Sequence, residues 1–159
     1  MATPALHPSA RIERGSSSHL DAVMTVMDSA FGNRFGEAWT RSQLSGILPM
    51  AGVILTLAWD GADAIGFALS RTVADEAELL LIAVRPDRHR QGVGRQLLDQ
   101  FFDDAQARPV ARVHLEVRDG NPAMGMYHSA GFAPVGRRQN YYRGTDGQSF
   151  DAITLARTL

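Results

Sequence analysis

The sequence predicts an α/β protein, counted as α+β in schemes that reserve α/β for βαβ repeats, with a central mixed sheet flanked by helices. Three observations predict it. The apolar run Leu79–Val84 passes through Arg85-Pro86 and the basic, glycine-bearing turn Arg88–Gly94 into a segment where Leu97, Leu98, Phe101 and Phe102 recur at helical spacing, which reads as strand, tight turn and helix. The runs Val53–Trp59, Ala64–Val73 and Ala77–Val84, separated by Asp60-Gly61-Ala62-Asp63 and Asp75-Glu76, predict an antiparallel meander. Phe132–Arg138 and Ser149–Ala156, joined by a loop at Asn140–Gly147, predict a closing hairpin.

The remaining elements follow in order. A short first strand at Ala10–Arg14 leads through a serine-rich cap at Ser16–Ser18 to a helix over His19–Ser29, where Leu20, Val23, Met24 and Met27 share a face. Thr40-Arg41-Ser42-Gln43 is a capping box: the threonine oxygen satisfies an early amide while Gln43 reaches back, opening a helix over Arg41–Leu48. Trp39, just before it, serves either as a hydrophobic anchor at the helix entrance or as a wall around a substrate. The helix after the glycine turn runs over Gly94–Ala107, and a strand at Ala111–Val117 alternates Val113, Leu115 and Val117 with Arg112, His114 and Glu116. Asn121 reads as an N-cap and Pro122 as the first position of a helix carrying Met124, Met126 and Tyr127 and ending at Gly131.

Composition bounds the function. A chain of 159 residues, 45% hydrophobic and 21% charged, builds one core, so residues 10–159 are expected to form a single domain behind a flexible leader at 1–9 that is rich in proline and small residues. The formal charge of -1 gives no overall basic field for nucleic acid or membrane, although Arg85–Arg95 and Arg137–Arg143 cluster cations locally. Without cysteine there is no disulfide scaffold, thiol nucleophile or thiolate metal site. The start has no long apolar section of a signal peptide and no segment reaches transmembrane length, which is compatible with the cytoplasm. The amides around Gly92, Val93, Gly94 and Arg95, at a helix N-terminus with its partial positive charge, can hold a phosphate without a metal; alternatively the glycines only shape the turn.

The motifs IAVRPDRHRQGVG, LEVRDGN, MYHSAGF and GRRQNYYRGTDGQSFDAI, in that order, resemble the GCN5-related N-acetyltransferase (GNAT) superfamily. FGEAWTRSQL before the meander and the NYY-loop-DAI ending are similar to its branch of bacterial ribosomal-protein alanine N-acetyltransferases, and the resemblance spans about residues 10–158. It implies the GNAT fold, a mostly antiparallel sheet splayed at the cofactor site. It also implies acetyl-coenzyme A as co-substrate and no metal. The implied cofactor contacts are Ile82, Ala83, Val84, Arg90, Gln91, Gly92, Val93, Gly94, Arg95 and Asn121. Acetyl passes directly from thioester to amine: Glu116 is the implied general base, Tyr127 the general acid that protonates the departing thiolate, and amides near Ile82–Val84 polarise the carbonyl. Read alone, Glu116 is a solvent-facing strand residue and Tyr127 a packing residue.

An α-amine, with an ordinary pKa of about 7.7–8.0, is more easily neutralised than lysine. The implied partner is the N-terminal peptide of a small-subunit ribosomal protein, specifically the alanine of the eighteenth. It would enter beside Trp39, Arg138, Tyr141 and Tyr142, with Arg143 nearby. Other peptide α-amines, small amines, or a non-catalytic acetyl-coenzyme A-binding regulatory module are the alternatives; no direct nucleic-acid or membrane contact is expected. The chain departs from the family pattern in four places. His89 stands where Gln or Arg usually opens the turn, and Leu81 where asparagine is frequent. Ala38 replaces a proline, and Asn121 lies six residues before Tyr127 rather than seven, which leaves it either a pantetheine contact or a helix cap.

Overall fold

The computed structural model describes residues 10–32 and 34–159; the leader expected at 1–9 lies outside them. Seven strands form one sheet in the order β1-β2-β3-β4-β5-β7-β6. The strands are β1 (Arg11–Arg14), β2 (Val53–Asp60), β3 (Asp63–Val73), β4 (Glu76–Val84), β5 (Arg112–Arg118), β6 (Ala133–Arg143) and β7 (Ser149–Thr158). Every neighbouring pair is antiparallel except β4 with β5. That parallel pair is the one joined by a crossover, through α3 (Val93–Gln106). The mixed, mostly antiparallel sheet expected from the sequence is therefore present.

Helices cover both faces. α3 lays Leu97, Leu98, Phe101, Phe102 and Ala105 on one, in a cluster with Val113, Leu115, Val117 and Leu155, each large apolar side chain contributing roughly 1.5–3 kcal/mol by leaving water. On the other face, Val23, Val26 and Met27 of α1 (Leu20–Phe31) and Leu44 of α2 (Arg41–Ile47) pack on Leu55, Leu57, Phe67 and Leu69. Capping boxes open α2 and the 3₁₀ turn that precedes α1. Thr40 Oγ1 accepts from the Gln43 amide at 3.1 Å while Gln43 returns to the Thr40 amide at 2.8 Å. Ser16 heads a second box, closed by His19 Nδ1, which accepts from the Ser16 amide at 3.0 Å and leads a 3₁₀ turn into α1.

Two features of the sheet create the functional cleft. β4 pairs with β5 only from Glu76↔Arg112 to Leu79↔Leu115, after which the strands part. At the same point the register against β3 jumps from Leu69↔Leu81 to Ser70↔Leu79, leaving Leu80 as an extra residue. A bulge reverses the alternation of faces. Ala77 and Leu79 accordingly join the α3-side cluster, whereas Leu81 and Ala83, two and four residues further along, join the α1-side cluster. The splay implied by the family resemblance is thus located at Leu79–Leu81.

Two boundaries differ from the sequence reading. The expected loop Asn140–Gly147 is shorter: β6 continues to Arg143 across an irregularity between Arg138 and Tyr142, where Asn140 takes a φ of 54°. Such irregularities do not break the apolar pattern of a strand that is exposed along most of its length, so the sequence carried no sign of it. α4 (Met124–Ser129) begins later than Pro122, after a turn in which the Met124 amide bonds the Asn121 carbonyl.

Candidate active site

The glycine turn leaves the entrance of α3 open. Gly92, its N-cap, has a φ of 78°, a left-handed conformation that costs a side chain about 1–2 kcal/mol, and no side chain caps the helix. The first amides of α3 therefore point outward with the positive end of the helix dipole behind them. His89, the departure from the family pattern, stays exposed at the cleft, its Nε2 3.1 Å from the Val84 carbonyl, a contact that ties the turn back to β4. Three of the arginines around it are engaged by neighbouring carboxylates, Arg85 with Asp87, Arg88 with Asp60 and Arg95 with Asp99. Arg90 instead lines the cleft, so the cradle is mainly main chain with this arginine beside it.

The freed end of β4 forms the adjoining wall. The Arg85 amide bonds the Ile65 carbonyl, so antiparallel alternation gives the next hydrogen-bonded pair as Ala83 with Phe67. The polar main-chain groups of Ile82 and Val84 then face the gap left by β5, while those of Ala83 are held within the sheet. A cleft of about 730 Å³ runs along this edge, bounded by Ile82, Ala83, Val84, Arg90, Gly92, Val93, Gly94, Arg95 and Asn121. Gln91, the remaining residue of the expected cofactor set, does not line it.

Beyond the splay lies a second chamber of about 120 Å³, between the last residues of β5, the irregular part of β6 and the α1–α2 connection. Glu116, Trp39, Tyr141 and Tyr142 line it. Glu116 is largely covered and its Oε1 lies 2.8 Å from Arg138 Nε; Arg138 is solvent-exposed and stands on the expected amine side as a partner of this carboxylate. Tyr142 Oη donates to the Glu116 carbonyl at 3.4 Å, and Tyr141 and Tyr142 meet edge to face. Trp39 fills both roles open in its sequence, packing on the α1-side core while walling the chamber.

Tyr127 stands where the chambers meet and lines both. It is 5% exposed, and its phenol is pushed well above its ordinary value, first by burial and then by Tyr142 and the charge of Glu37. Tyr142 is raised likewise, chiefly by burial. A phenol that holds its proton so firmly remains a hydrogen-bond donor at any physiological pH. Asn121 closes a turn ahead of α4 rather than capping it, since Ala123 is the N-cap and no side chain caps that helix: its Oδ1 accepts from the Ala123 amide at 2.8 Å, and its Nδ2 donates to Glu37 Oε2 at 2.9 Å, while it also lines the larger cleft.

Sequence reasoning missed Glu37, Glu78, Arg118 and Phe35. Glu78 sits opposite His114 in the β4–β5 pairing and lines the smaller chamber. Arg118, buried at the end of β5, stacks its guanidinium 3.6 Å from the centroid of Phe35 and places Nε 3.4 Å from Glu37 Oε1. A glutamate in a glycine-bearing connection and an arginine ending a strand read as ordinary surface charge. Strand parity gave no signal either, because alternation puts Arg118 on the polar face of β5 and yet it is buried beside Val117. The connection is held against the closing hairpin by Gly36, at a φ of 71°, whose added Cβ would lie 2.1 Å from the Arg143 carbonyl.

In chemical terms, one chamber offers main-chain donors to an anionic ligand, the other offers a carboxylate acceptor, and a buried hydroxyl donor stands between them. Comparison with known proteins gives the arrangement a family. The model of the Acetyltransferase (GNAT) family matches residues 20–132. The [ribosomal protein bS18]-alanine N-acetyltransferase of Escherichia coli K12 is 48% identical over 91 residues, covering 57% of this chain and 61% of that protein. The N-alpha-acetyltransferase RimI of Mycobacterium tuberculosis is 38% identical over 102 residues, with 61% of each chain covered. The chain thus spans about three fifths of the length of these curated relatives. The crystal structure of the ribosomal-protein-S18-alanine N-acetyltransferase from Escherichia coli superposes with a TM-score of 0.84 at 33% identity, covering 94% of this chain and 93% of the other. By the family match across most of its length and this likeness of structure, the chain belongs to the GNAT acetyltransferases.

Proposed function

We propose that this protein is an acetyl-coenzyme A-dependent Nα-acetyltransferase whose substrate is the N-terminal peptide of a small-subunit ribosomal protein, the alanine of bS18. The carrying observation is that Tyr127 joins the two chambers, so a ligand anchored at the α3 entrance brings its far end to the amine held beside Glu116. The relatives named above support the peptide α-amine and bS18 in particular. Residues 10–159 act as one catalytic domain on this reading, and a ribosomal substrate places its work in the cytoplasm.

The cleft suits acetyl-coenzyme A: it is long, apolar along Val84, Ala123 and Met126, and ends at an uncapped helix that takes phosphate without a metal. The amides of Val93, Gly94 and Arg95 hold the pyrophosphate, with Arg90 at the rim; Ile82 and Val84 present main-chain groups to the pantetheine arm, and Asn121 borders its path. When bound, acetyl-coenzyme A supplies an acetyl group activated as a thioester. The amine, seated by Trp39, Tyr141 and Tyr142, loses its proton to Glu116, directly or through one water. The amides at the freed end of β4 stabilise the negative charge that develops on the carbonyl oxygen. Tyr127, still protonated, hydrogen-bonds the departing sulfur, whose basicity rises in the same buried setting; the proton it yields to the thiolate is replaced, through solvent, by the one Glu116 took from the amine.

Arg138 on Glu116 favours a second reading, a regulatory module that binds acetyl-coenzyme A with its amine route closed. One experiment separates the two: purified protein and acetyl-coenzyme A are incubated with peptides beginning Ala, Ser, Gly or acetyl-blocked Ala, and the added acetyl group is located by mass spectrometry. Acetylation of the free α-amine, and none of the blocked peptide, is expected. Transfer only to internal lysine overturns the α-amine assignment, and tight cofactor binding without any transfer favours the module.

A further inference from the structure

Glu37 is a carboxylate with a side chain only 12% exposed, carried by the α1–α2 connection into the boundary between the two chambers, and it lines both. Burial of a charge is tolerated when it is paired and hydrogen-bonded. The charge is met by Arg118, whose side chain is 9% exposed, with Nε 3.4 Å away. That contact is not a hydrogen bond, and Arg118 Nε has no hydrogen-bond partner at all among the described residues. The hydrogen bond that orients the carboxylate comes instead from Asn121 Nδ2 at 2.9 Å.

From Asn121 the connection continues into α4. The amide group that donates to Glu37 turns its oxygen to the Ala123 amide at 2.8 Å, and the Ala123 carbonyl accepts from the Tyr127 amide at 3.2 Å. Asn121 cannot rotate to offer its nitrogen elsewhere without surrendering one of these bonds. The unusual spacing of Asn121 and Tyr127 therefore has a counterpart in space: the asparagine is spoken for by the turn that leads into α4 and by Glu37. α4 has only six residues, Met124–Ser129, so its position depends on how its first turn is fixed.

We propose that Glu37 is a positioning residue for acetyl transfer, acting through Asn121 and the first turn of α4 to set the place of the Tyr127 hydroxyl between the chambers. This rests on the acetyltransferase reading. The negative charge of Glu37 also helps to keep Tyr127 protonated, a lesser contribution than burial. Glu37 touches no reacting atom on this account; its contribution reaches the chemistry only through Tyr127.

A double-mutant cycle tests it. Glu37→Met, which removes the acceptor for Asn121 Nδ2, should lower kcat about tenfold with the peptide KM within about twofold, since small misplacement of a catalytic group is costly. In a Tyr127→Phe background the same change should lower kcat by less than about twofold, because the hydroxyl it positions is gone. Asn121→Asp, which keeps the acceptor for the Ala123 amide but can no longer donate to Glu37, should show the same pattern and stands in if Glu37→Met fails to fold. Hydrogen exchange of the protein without ligand gives a readout apart from activity: amides of residues 123–130 should exchange faster in both variants, with those of α3 unchanged. Multiplicative losses in the Tyr127→Phe background, or unchanged kcat in the single variants, overturn the proposal. Absence of transfer by the parent protein instead overturns the acetyltransferase reading itself.

Discussion

The two chambers of the cleft are built on opposite plans. The cofactor side is main chain: a left-handed Gly92, the open entrance of α3 and the freed edge of β4 lie within a dozen residues of one another in sequence. The amine side is side chain: Trp39, Glu78, Glu116, Tyr127 and Tyr141 come from five separate segments, held together only by the finished fold. A site made of amides tolerates substitution of its side chains but not a change of backbone conformation. A site made of converging side chains is sensitive to each of them and to whatever holds their segments in place.

The largest effect should come from the amine side. Glu116→Gln removes the proton acceptor proposed above and is expected to lower kcat by about 10²- to 10⁴-fold while leaving acetyl-coenzyme A affinity, measured by calorimetry, unchanged. An unchanged rate over several pH values would remove Glu116 from the mechanism. The mirror experiment is Gly92→Val, which forces a β-branched residue out of the left-handed region and swings the first amides of α3 away from their common target. Losing one charge-assisted hydrogen bond, worth about 1.5–3 kcal/mol, should weaken the cofactor tenfold or more, with kcat near normal at saturation. Were the rate at saturation to fall as far as the affinity, the division of labour between the chambers would be wrong.

The same contrast explains what could be read in advance. The glycine turn, the meander and the capping box at Thr40 are local, and local patterns dictated them correctly. Glu116 and Tyr127 are proposed as catalytic through their motif, because strand parity alone makes the one a surface residue and helical spacing makes the other a core residue. Both descriptions hold in part: Glu116 is on the polar face of β5, and Tyr127 is buried. Glu37 and Arg118 were not legible, since their significance is a meeting across 81 residues of chain that neither segment records. The bulge at Leu80 was hidden too, because a run of Leu79-Leu80-Leu81-Ile82 is apolar on either face and gives no sign of where the alternation reverses.

The buried phenols offer a third contrast, in stability rather than rate. Tyr127 and Tyr142 both have folded-state values raised above the ordinary one near 10, by burial before any other cause. Above about pH 10 the unfolded chain releases these protons while the folded one keeps them, so the unfolded state binds fewer protons and stability falls with rising pH; below that range the two states bind equally and the contribution is constant. The urea midpoint should therefore hold through neutrality and drop above about pH 10. Tyr127→Phe should make the drop shallower, and an identical slope in that variant would show that its phenol is not held protonated.

The smallest effect tests whether the amine side depends on the segments around it. Thr40→Ala removes the oxygen that accepts from the Gln43 amide and so half of the capping box that begins α2. Such a loss costs about 0.5–2 kcal/mol, and fraying of the first turn releases the chain just after Trp39. Trp39 packs on the α1-side core, so most of its burial survives; what loosens is the angle at which its ring meets the smaller chamber. The peptide KM should consequently rise about two- to threefold, the arithmetic equivalent of roughly half a kcal/mol, with the cofactor affinity and the Gly92 cradle untouched. Equal weakening of peptide and cofactor would mean that α2 braces the whole cleft, and the main-chain side would then owe its shape to more than the glycine turn.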